Sequence, residues 1–358
     1  ATSARADTGG QRKTISNSTV GYKKITFIKK HYKILLNYIL GPLLFIILSY
    51  AIYAKVNDQP NLPQKLELLR KSFSKQHAWY IVVLFLLMFL NWSIEARKWQ
   101  LLVKPVQKVS FFIAAKAVLS GLSLSLFLPN GIGEYAGRIV YMNQGNRLRS
   151  VALTIAGSMS QLIITLVAGL GGFIYLRSHT WHNTGQLQGL SFFWINGIIS
   201  MIFIGTLLLL FVYFKLSWLT SIVEKIPFVD KYKYLIENLE TFHWRELTRI
   251  LFLSCLRFIV FVIQYVLILH FFKVDIGFAD AVCTTCVLFL VLAILPTIPL
   301  ADVGIRSQAG IQLFGLLTTN SLGILATTAG IWFINLIVPS VAGSLFILGI
   351  KIFKKQET

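Results

Sequence analysis

The sequence predicts an all-α, polytopic membrane protein. Of its 358 residues, 55% are hydrophobic and 13% are charged, and the mean hydropathy is +0.68. These values leave too few polar residues to cover a water-soluble protein of this size. The apolar residues fall into eight separate runs, and most of these are long enough for a helix to cross about 30 Å of hydrocarbon.

The charge of the chain also fits a membrane protein. Lysine and arginine total 34 against 14 acidic residues, which gives a formal net charge of +20. The basic residues lie mostly between the apolar runs, the arrangement expected for loops that stay on the cytoplasmic side near anionic lipid. No basic soluble domain is present in the sequence, so nucleic acid is not an expected partner.

The N-terminal part predicts a cytoplasmic N-terminus. Residues 1–30 are predicted to be a disordered basic tail, and a cluster of lysines precedes a first span, Ile34 to Ala54. A second span is predicted from Ala78 to about Ile94. The charged residues that follow it, beginning with Glu95 and including Lys98, are interpreted as its cytoplasmic edge.

The next apolar run is too short to span the membrane, and it leads into the first of two similar motifs. The motif contains two helix-breaking residue types and an acid four residues before an arginine: Pro129, Gly131, Gly133, Glu134 and Arg138. The following span, Val151 to Leu176, starts beside basic residues and ends before a loop with few bases. Residues 110–146 must then enter and leave on the cytoplasmic side, which predicts a re-entrant helical hairpin.

Two further spans are predicted, Phe192 to Phe214 and Leu247 to Phe272. The basic connection between them, residues 215–246, has apolar residues at helical spacing and predicts a cytoplasmic amphipathic segment. Arg257 lies about one third of the way into the second of these spans. We expect its side chain to reach the interface or to pair with an acid in the bundle.

A second motif near the C-terminus repeats the first. Residues 281–320 contain another short apolar run, followed by Pro296, Pro299, Asp302, Gly304 and Arg306. A last span ends near Ile350 and is followed by lysines, which places the C-terminus in the cytoplasm. Six full spans and two oppositely oriented hairpins then form one transporter-like domain, residues 31–355, with a possible inverted repeat. The alternative is that all eight runs are simple spans.

The charged residues of the motifs are the candidate site. A lone charge in hydrocarbon costs several kcal/mol, so Glu134, Arg138, Asp302 and Arg306 need a partner. One interpretation is that each acid pairs with its arginine and holds a broken helix together. The other is that the arginines face a midplane cavity and bind an anionic headgroup, because guanidinium groups contact phosphate in a bidentate way.

The two motifs, in this order and at this separation, resemble those of the lysylphosphatidylglycerol synthase transmembrane-region family of flippase-like membrane proteins. The resemblance implies movement of an anionic or aminoacylated phospholipid, or of a lipid-linked headgroup, across a bacterial-type cytoplasmic membrane. Substrate-binding residues would then come from the motifs and from Arg257. The chain ends at Thr358, directly after the last span, so we expect the flippase part without the family's aminoacyl-transfer domain.

Two other functions stay open. An intramembrane enzyme acting on a lipid or polyprenyl substrate could use Glu134 or Asp302 as acid or base, although the sequence lacks a metal-binding acidic cluster or a Ser-His pair. A scaffold for a separately encoded lipid-modifying enzyme is the third possibility. We expect no cofactor and no metal, because Cys283 and Cys286 lie in an apolar run that is typical of core packing.

Overall fold

A computed structural model describes residues 78–126, 128, 131–181, 192–215, 242–295 and 301–353, with four single residues before residue 78. The predicted tail 1–30, nearly all of the first predicted span and most of the amphipathic segment 215–246 lie outside the described residues, as do Pro129, Pro296 and Pro299.

From residue 78 onward most of the described residues are helical, short turns and loops join the helices, and this part contains no β-strand. Ten α-helices, numbered in chain order, make up this part: α1 (Ala78–Val103), α2 (Phe111–Ser125), α3 (Ile132–Ile139), α4 (Arg147–Leu176), α5 (Phe192–Phe214), α6 (Trp244–Phe271), α7 (Phe278–Ile294), α8 (Asp302–Phe314), α9 (Ser321–Trp332) and α10 (Val338–Phe353). A π-helical turn, Phe333–Ile337, joins α9 to α10.

Five helical stretches are long and apolar enough to cross a membrane: Ala78–Val103, Gln144–His179, Asn196–Phe214, Trp244–Phe271 and Ser321–Ile347. They correspond to five of the six predicted spans, and the remaining one falls outside the described residues. Helices α2 and α7 are apolar but shorter, with 15 and 17 residues. The prediction of an all-α polytopic membrane protein is therefore confirmed.

Side-chain caps fix where several of these helices begin. The hydroxyl of Ser110 accepts a hydrogen bond from the N–H of Ile113 at 3.3 Å, and α2 starts at the next residue. The Asn320 side chain does the same for the N–H of Gly323 at 3.0 Å, before α9. Each cap satisfies a backbone donor that has no partner inside the helix.

The outer surface of the bundle is apolar. Large side chains such as Phe112, Met201 and Leu208 are exposed on the outside of the helices. A water-soluble protein rarely leaves so many large apolar side chains uncovered, whereas a bilayer solvates them. These exposed apolar side chains contribute to the high mean hydropathy of the sequence.

Helices α1, α4 and α6 pack against one another at the centre of the described bundle. Helix α2 lies against α1 and α10, and α7 lies against α4 and α6. Glycines allow the closest of these approaches: a Cβ atom on Gly172 of α4 would lie 2.6 Å from the carbonyl oxygen of Cys283 in α7. Small residues let membrane helices pack backbone against backbone in this way.

Helices α2 and α3 form a tight antiparallel hairpin. A Cβ atom on Gly121 would lie 2.6 Å from the carbonyl oxygen of Glu134, and one on Gly137 would collide with the backbone of Gly121. Just before α3, Gly131 has a φ of 71°, a left-handed conformation that favours glycine. The predicted reversal of the chain at this motif is present as the α2–α3 hairpin. The insertion of this hairpin into the membrane stays a prediction.

Candidate functional site

A partly open cavity of about 370 Å³ lies between the helices that carry the two motifs. Its wall is mostly apolar and aromatic, with a few charged and amide side chains. Those polar residues are Glu134, Arg138, Gln161, Arg257, Arg306 and Asn335. An apolar chamber with a small number of placed polar groups is the common form of a small-molecule site.

Glu95 of α1 is the centre of a buried ion-pair network. Its carboxylate lies 2.7 Å from the ammonium of Lys98, 3.0 Å from the guanidinium of Arg138 and 3.1 Å from that of Arg257. The Glu95 side chain is only 4% exposed. An isolated carboxylate would be very costly at this depth, so the three cations are what make its burial possible.

Arg138 is shared between two carboxylates. It pairs with Glu95 and also with Glu134, one helical turn away on α3. The Arg138 side chain is 3% exposed, whereas the Glu134 side chain is 37% exposed and faces the cavity. Arg138 therefore anchors the α2–α3 hairpin to α1, and Glu134 is its accessible partner.

Arg257 of α6 is directed inward rather than toward the interface. Its Nε donates a hydrogen bond to the side-chain oxygen of Asn91 at 2.9 Å, in addition to its ion pair with Glu95. The guanidinium also lies over two aromatic rings, with centroid distances of 5.2 Å to Trp92 and 5.3 Å to Phe261. Of the two expectations for Arg257, the structure shows the pairing with an acid.

Arg306 is the most accessible arginine of the cavity. Its Nε donates to the Asp302 carboxylate at 2.9 Å, the spacing of four residues that the sequence predicted. The Arg306 side chain is 32% exposed and lines the cavity, while Asp302 is buried. Its two terminal nitrogens have no hydrogen-bond partner among the described residues, so they can contact a ligand.

Among the described residues, the Glu95 network and the separate Asp302–Arg306 pair together contain one more cation than carboxylates. Their four cations are Lys98, Arg138, Arg257 and Arg306. Their three carboxylates are Glu95, Glu134 and Asp302. The three arginines line the cavity, whereas Lys98 does not. A buried excess of this sign favours an anionic ligand.

The motif glycines have structural roles in this arrangement. A Cβ atom on Gly133 would collide with the backbone of Leu124 and Ser125, so this glycine allows α3 to touch α2. Gly131 supplies the left-handed residue before α3, and Gly304 is buried in the first turn of α8. Their predicted contact with a substrate stays a prediction, and Pro129 lies outside the described residues.

The structure corrects the assignment of Glu95 and Lys98. The sequence predicts that the second span ends near Ile94 and that these charges form its cytoplasmic edge, but α1 continues to Val103 and both side chains are buried. A hydropathy criterion fails here because Glu95 pairs with Lys98 on the same helix and also with Arg138 and Arg257, which are distant in sequence. A signal was available: Asn91, Glu95 and Lys98 are spaced by four and three residues, on one face of a helix.

No group of three metal-ligating side chains is present among the described residues. Within the same part of the chain, all three cysteines are free, and Cys286 is buried in an apolar cluster with Phe258 and Val262. The cysteines therefore pack as small apolar residues.

Comparison with known proteins identifies the family. A family model described as the lysylphosphatidylglycerol synthase TM region matches residues 39–343, which is most of the chain. A search of curated proteins gives no match. The matched region includes every helix that lines the cavity and both motifs. The chain therefore belongs to the lysylphosphatidylglycerol synthase transmembrane-region family.

Proposed function

We propose that this protein moves an anionic phospholipid or lipid-linked headgroup across the bilayer, with the headgroup in the cavity and the acyl chains in the surrounding lipid. The observation that carries the proposal is that three arginines and one carboxylate, Glu134, are the charged residues described on the wall of a cavity inside an apolar helix bundle. Such a site lowers the cost of bringing a phosphate into the membrane interior, which is the main barrier to spontaneous lipid movement.

The arginines have different roles in this proposal. Arg306 contacts the headgroup phosphate, because its terminal nitrogens are accessible. Arg138 and Arg257 are committed to Glu95, so they hold the helices in place and supply long-range positive charge. When no anion is bound, the Glu134 carboxylate pairs with Arg138, and a bound anion could replace it.

An enzyme is less well supported than a translocator. Among the described residues, Glu95, Glu134 and Asp302 are each paired with an arginine. Each of these carboxylates is therefore already engaged in a salt bridge, whereas a general base must lie within hydrogen-bond reach of a substrate proton. Chemical turnover of a lipid headgroup by the purified protein would favour the enzyme over the translocator. Co-purification with a lipid-modifying enzyme would favour the third function, a scaffold for that enzyme.

The membrane arrangement forms part of the proposal. The α2–α3 hairpin and the α7–α8 segment are the re-entrant elements, entering from opposite faces and meeting at the cavity. Both termini lie in the cytoplasm of a bacterial-type cell, and the membrane is the cytoplasmic one, because basic residues cluster beside the spans that define those ends.

The experiment is a transbilayer assay with purified protein in liposomes that contain a fluorescent phospholipid. Dithionite bleaches only the outer leaflet, so bleaching beyond about half of the signal reports movement. Wild-type protein should give such bleaching. Ala293→Trp, which adds a ring at the cavity wall, should slow it strongly, and Leu207→Trp on the exposed face of α5 should not.

Bleaching that stops at about half with folded wild-type protein would contradict the proposal. Equal rates for the two tryptophan variants would show that lipid moves by a route other than the cavity. A change in headgroup structure during the assay, detected by mass spectrometry, would indicate an enzyme instead.

A further inference from the structure

One carboxylate reaches the cavity. Among the described residues, the charged side chains on the cavity wall are Glu134 and three arginines, Arg138, Arg257 and Arg306. The Glu134 side chain is 37% exposed, whereas that of its partner Arg138 is 3% exposed. Because the cavity is partly open, water can bring a proton to Glu134 from the same space that would hold a ligand. Glu134 is therefore the described acid that an anion in the cavity would approach.

Arg138 has a second carboxylate that stays in place without Glu134. Its Nη2 atom donates a hydrogen bond to Glu95 at 3.0 Å and another to Glu134. Glu95 is buried on α1 and is also paired with Lys98 and Arg257. Neutralising Glu134 thus leaves Arg138 paired with an acid and the α2–α3 hairpin attached to α1. Glu134 is the member of the network that can change its protonation without removing this attachment.

The helices packed against α3 place no second acid beside Glu134. These helices are α2 and α4, and in the described part of the chain both put only uncharged side chains on the cavity wall. Lys116, the one charged residue of α2, is exposed on the side of α10. The titratable residues of α4 lie about three to four turns along the helix from Gln161 at the wall, and they are Arg147, Arg149 and Tyr175.

The charges of the network favour an anion that arrives together with a proton. With Glu134 ionised, three cations (Lys98, Arg138 and Arg257) and two carboxylates give the Glu95 network a net charge of +1. A phosphate at Arg138 would lie beside the Glu134 carboxylate, and a like charge at this range favours the protonated form of a carboxyl group. A singly charged phosphate and one proton together add no net charge to the membrane interior, where an added charge is costly.

We propose that Glu134 takes up one proton when an anionic headgroup binds at the cavity. A proton from water bonds to a carboxylate oxygen of Glu134, its ion pair with Arg138 breaks, and the guanidinium pairs with the phosphate instead. Glu95 continues to pair with Arg138 throughout. When the anion leaves, the proton returns to water and the ion pair forms again. The inference rests on the proposed function and adds a proton as a second ligand of the same site.

Anion binding and protonation of Glu134 must then strengthen each other. The affinity for the anion rises as the pH falls, because protonation removes a negative charge from the cavity wall. The probe is dioctanoyl phosphatidylglycerol, whose phosphate diester lacks the second ionisation that a phosphate monoester has at about pH 6. Calorimetry on the detergent-purified full chain should show binding about tenfold tighter at about pH 5.5 than at about pH 8.

The number of protons taken up separates this coupling from a general effect of pH on the fold. Binding enthalpies measured in two buffers with different ionisation enthalpies give that number. We expect up to about one proton per lipid for wild-type protein and none for Glu134→Gln, whose affinity should be the same at both pH values. Glu134→Asp keeps a titratable carboxylate and should retain the uptake. Glu246→Gln, at an exposed position of α6, should behave like the wild type.

Lipid binding by folded wild-type protein without proton uptake would overturn the inference, and this result does not depend on whether Glu134→Gln folds. Proton uptake that persists in folded Glu134→Gln would overturn it as well, since another group would then accept the proton. The liposome assay tests the proposed function separately. Protein that takes up a proton with the lipid but moves no lipid would contradict the proposed function alone. Protein that moves lipid but binds it without proton uptake would contradict this inference alone.

Discussion

The backbone N–H of Asn143 donates a hydrogen bond to the side-chain oxygen of Gln107 at 3.0 Å. The side chain of Asn146 adds a second contact, to the carbonyl oxygen of Val106 at 3.3 Å. These bonds join the two ends of the segment that holds α2 and α3. A chain that returns to its starting point is expected of a hairpin and not of a single span.

This contact predicts that both ends of the segment face the same side of the membrane. In a variant without the three native cysteines, single cysteines at Lys108 and Gly145, both exposed, should react with a membrane-impermeant maleimide from the same side. The reaction of each cysteine with the maleimide is compared between intact and permeabilised membranes. Labelling from opposite sides would support eight simple spans.

Glu95→Gln should destabilise the protein severely. The substitution leaves Lys98, Arg138 and Arg257 without their shared carboxylate, and breaking a buried pair costs about 3–5 kcal/mol. Thermal unfolding in detergent measures the effect. Glu246→Gln is the matched control, because Glu246 is exposed and glutamine can serve in its capping box. Similar melting temperatures for the two variants would contradict the network.

Gly121→Ala should separate α2 from α3. The added methyl group would meet the backbone of Glu134, which cannot move aside as a flexible side chain can, so we expect a loss of about 1–3 kcal/mol. Gly205→Ala in α5 is the control, since a Cβ atom there meets nothing within 4 Å. Alanine should be neutral or slightly stabilising at that position. Equal melting temperatures would argue against the tight hairpin.

Glu134→Gln should strengthen the binding of an anionic lipid. The Glu134 carboxylate lines the cavity and occupies Arg138, so removing its charge adds to the positive excess. With partial solvent screening we expect about a tenfold gain in affinity for dioctanoyl phosphatidylglycerol. Calorimetry on the purified variant measures it. A weaker affinity would mean that Glu134 itself contacts the ligand.

The helices and the reversal of the chain could be predicted from the sequence because hydropathy and charge are local signals. Apolar runs predicted five helices that the structure describes, and the pairing of Asp302 with Arg306 followed from a spacing of four residues. The return of the chain at the first motif followed from the shortness of its apolar run and from the placement of basic residues.

The composition of the site was much harder to predict. Glu95 binds Arg138 and Arg257, which are 43 and 162 residues away in sequence, and no local pattern indicates such partners. The position of Asn335 at the cavity wall was also missed. Asn335 lies in a π-turn, and a single asparagine in an apolar run does not reveal one.

The central claim is that Arg306 carries the headgroup through the cavity, and lipid movement in liposomes tests it most directly. The variant that removes Arg306 must also remove the charge of its buried partner, Asp302. Asp302→Asn with Arg306→Gln meets this condition, and Asp302→Asn alone isolates the effect of the guanidinium. Arg249→Gln, at an exposed position of α6, is the control for loss of an arginine. We predict that the double variant, while folded, moves a fluorescent anionic phospholipid at least tenfold more slowly than Asp302→Asn alone. Equal rates for these two variants would contradict the claim that Arg306 carries the headgroup through the cavity.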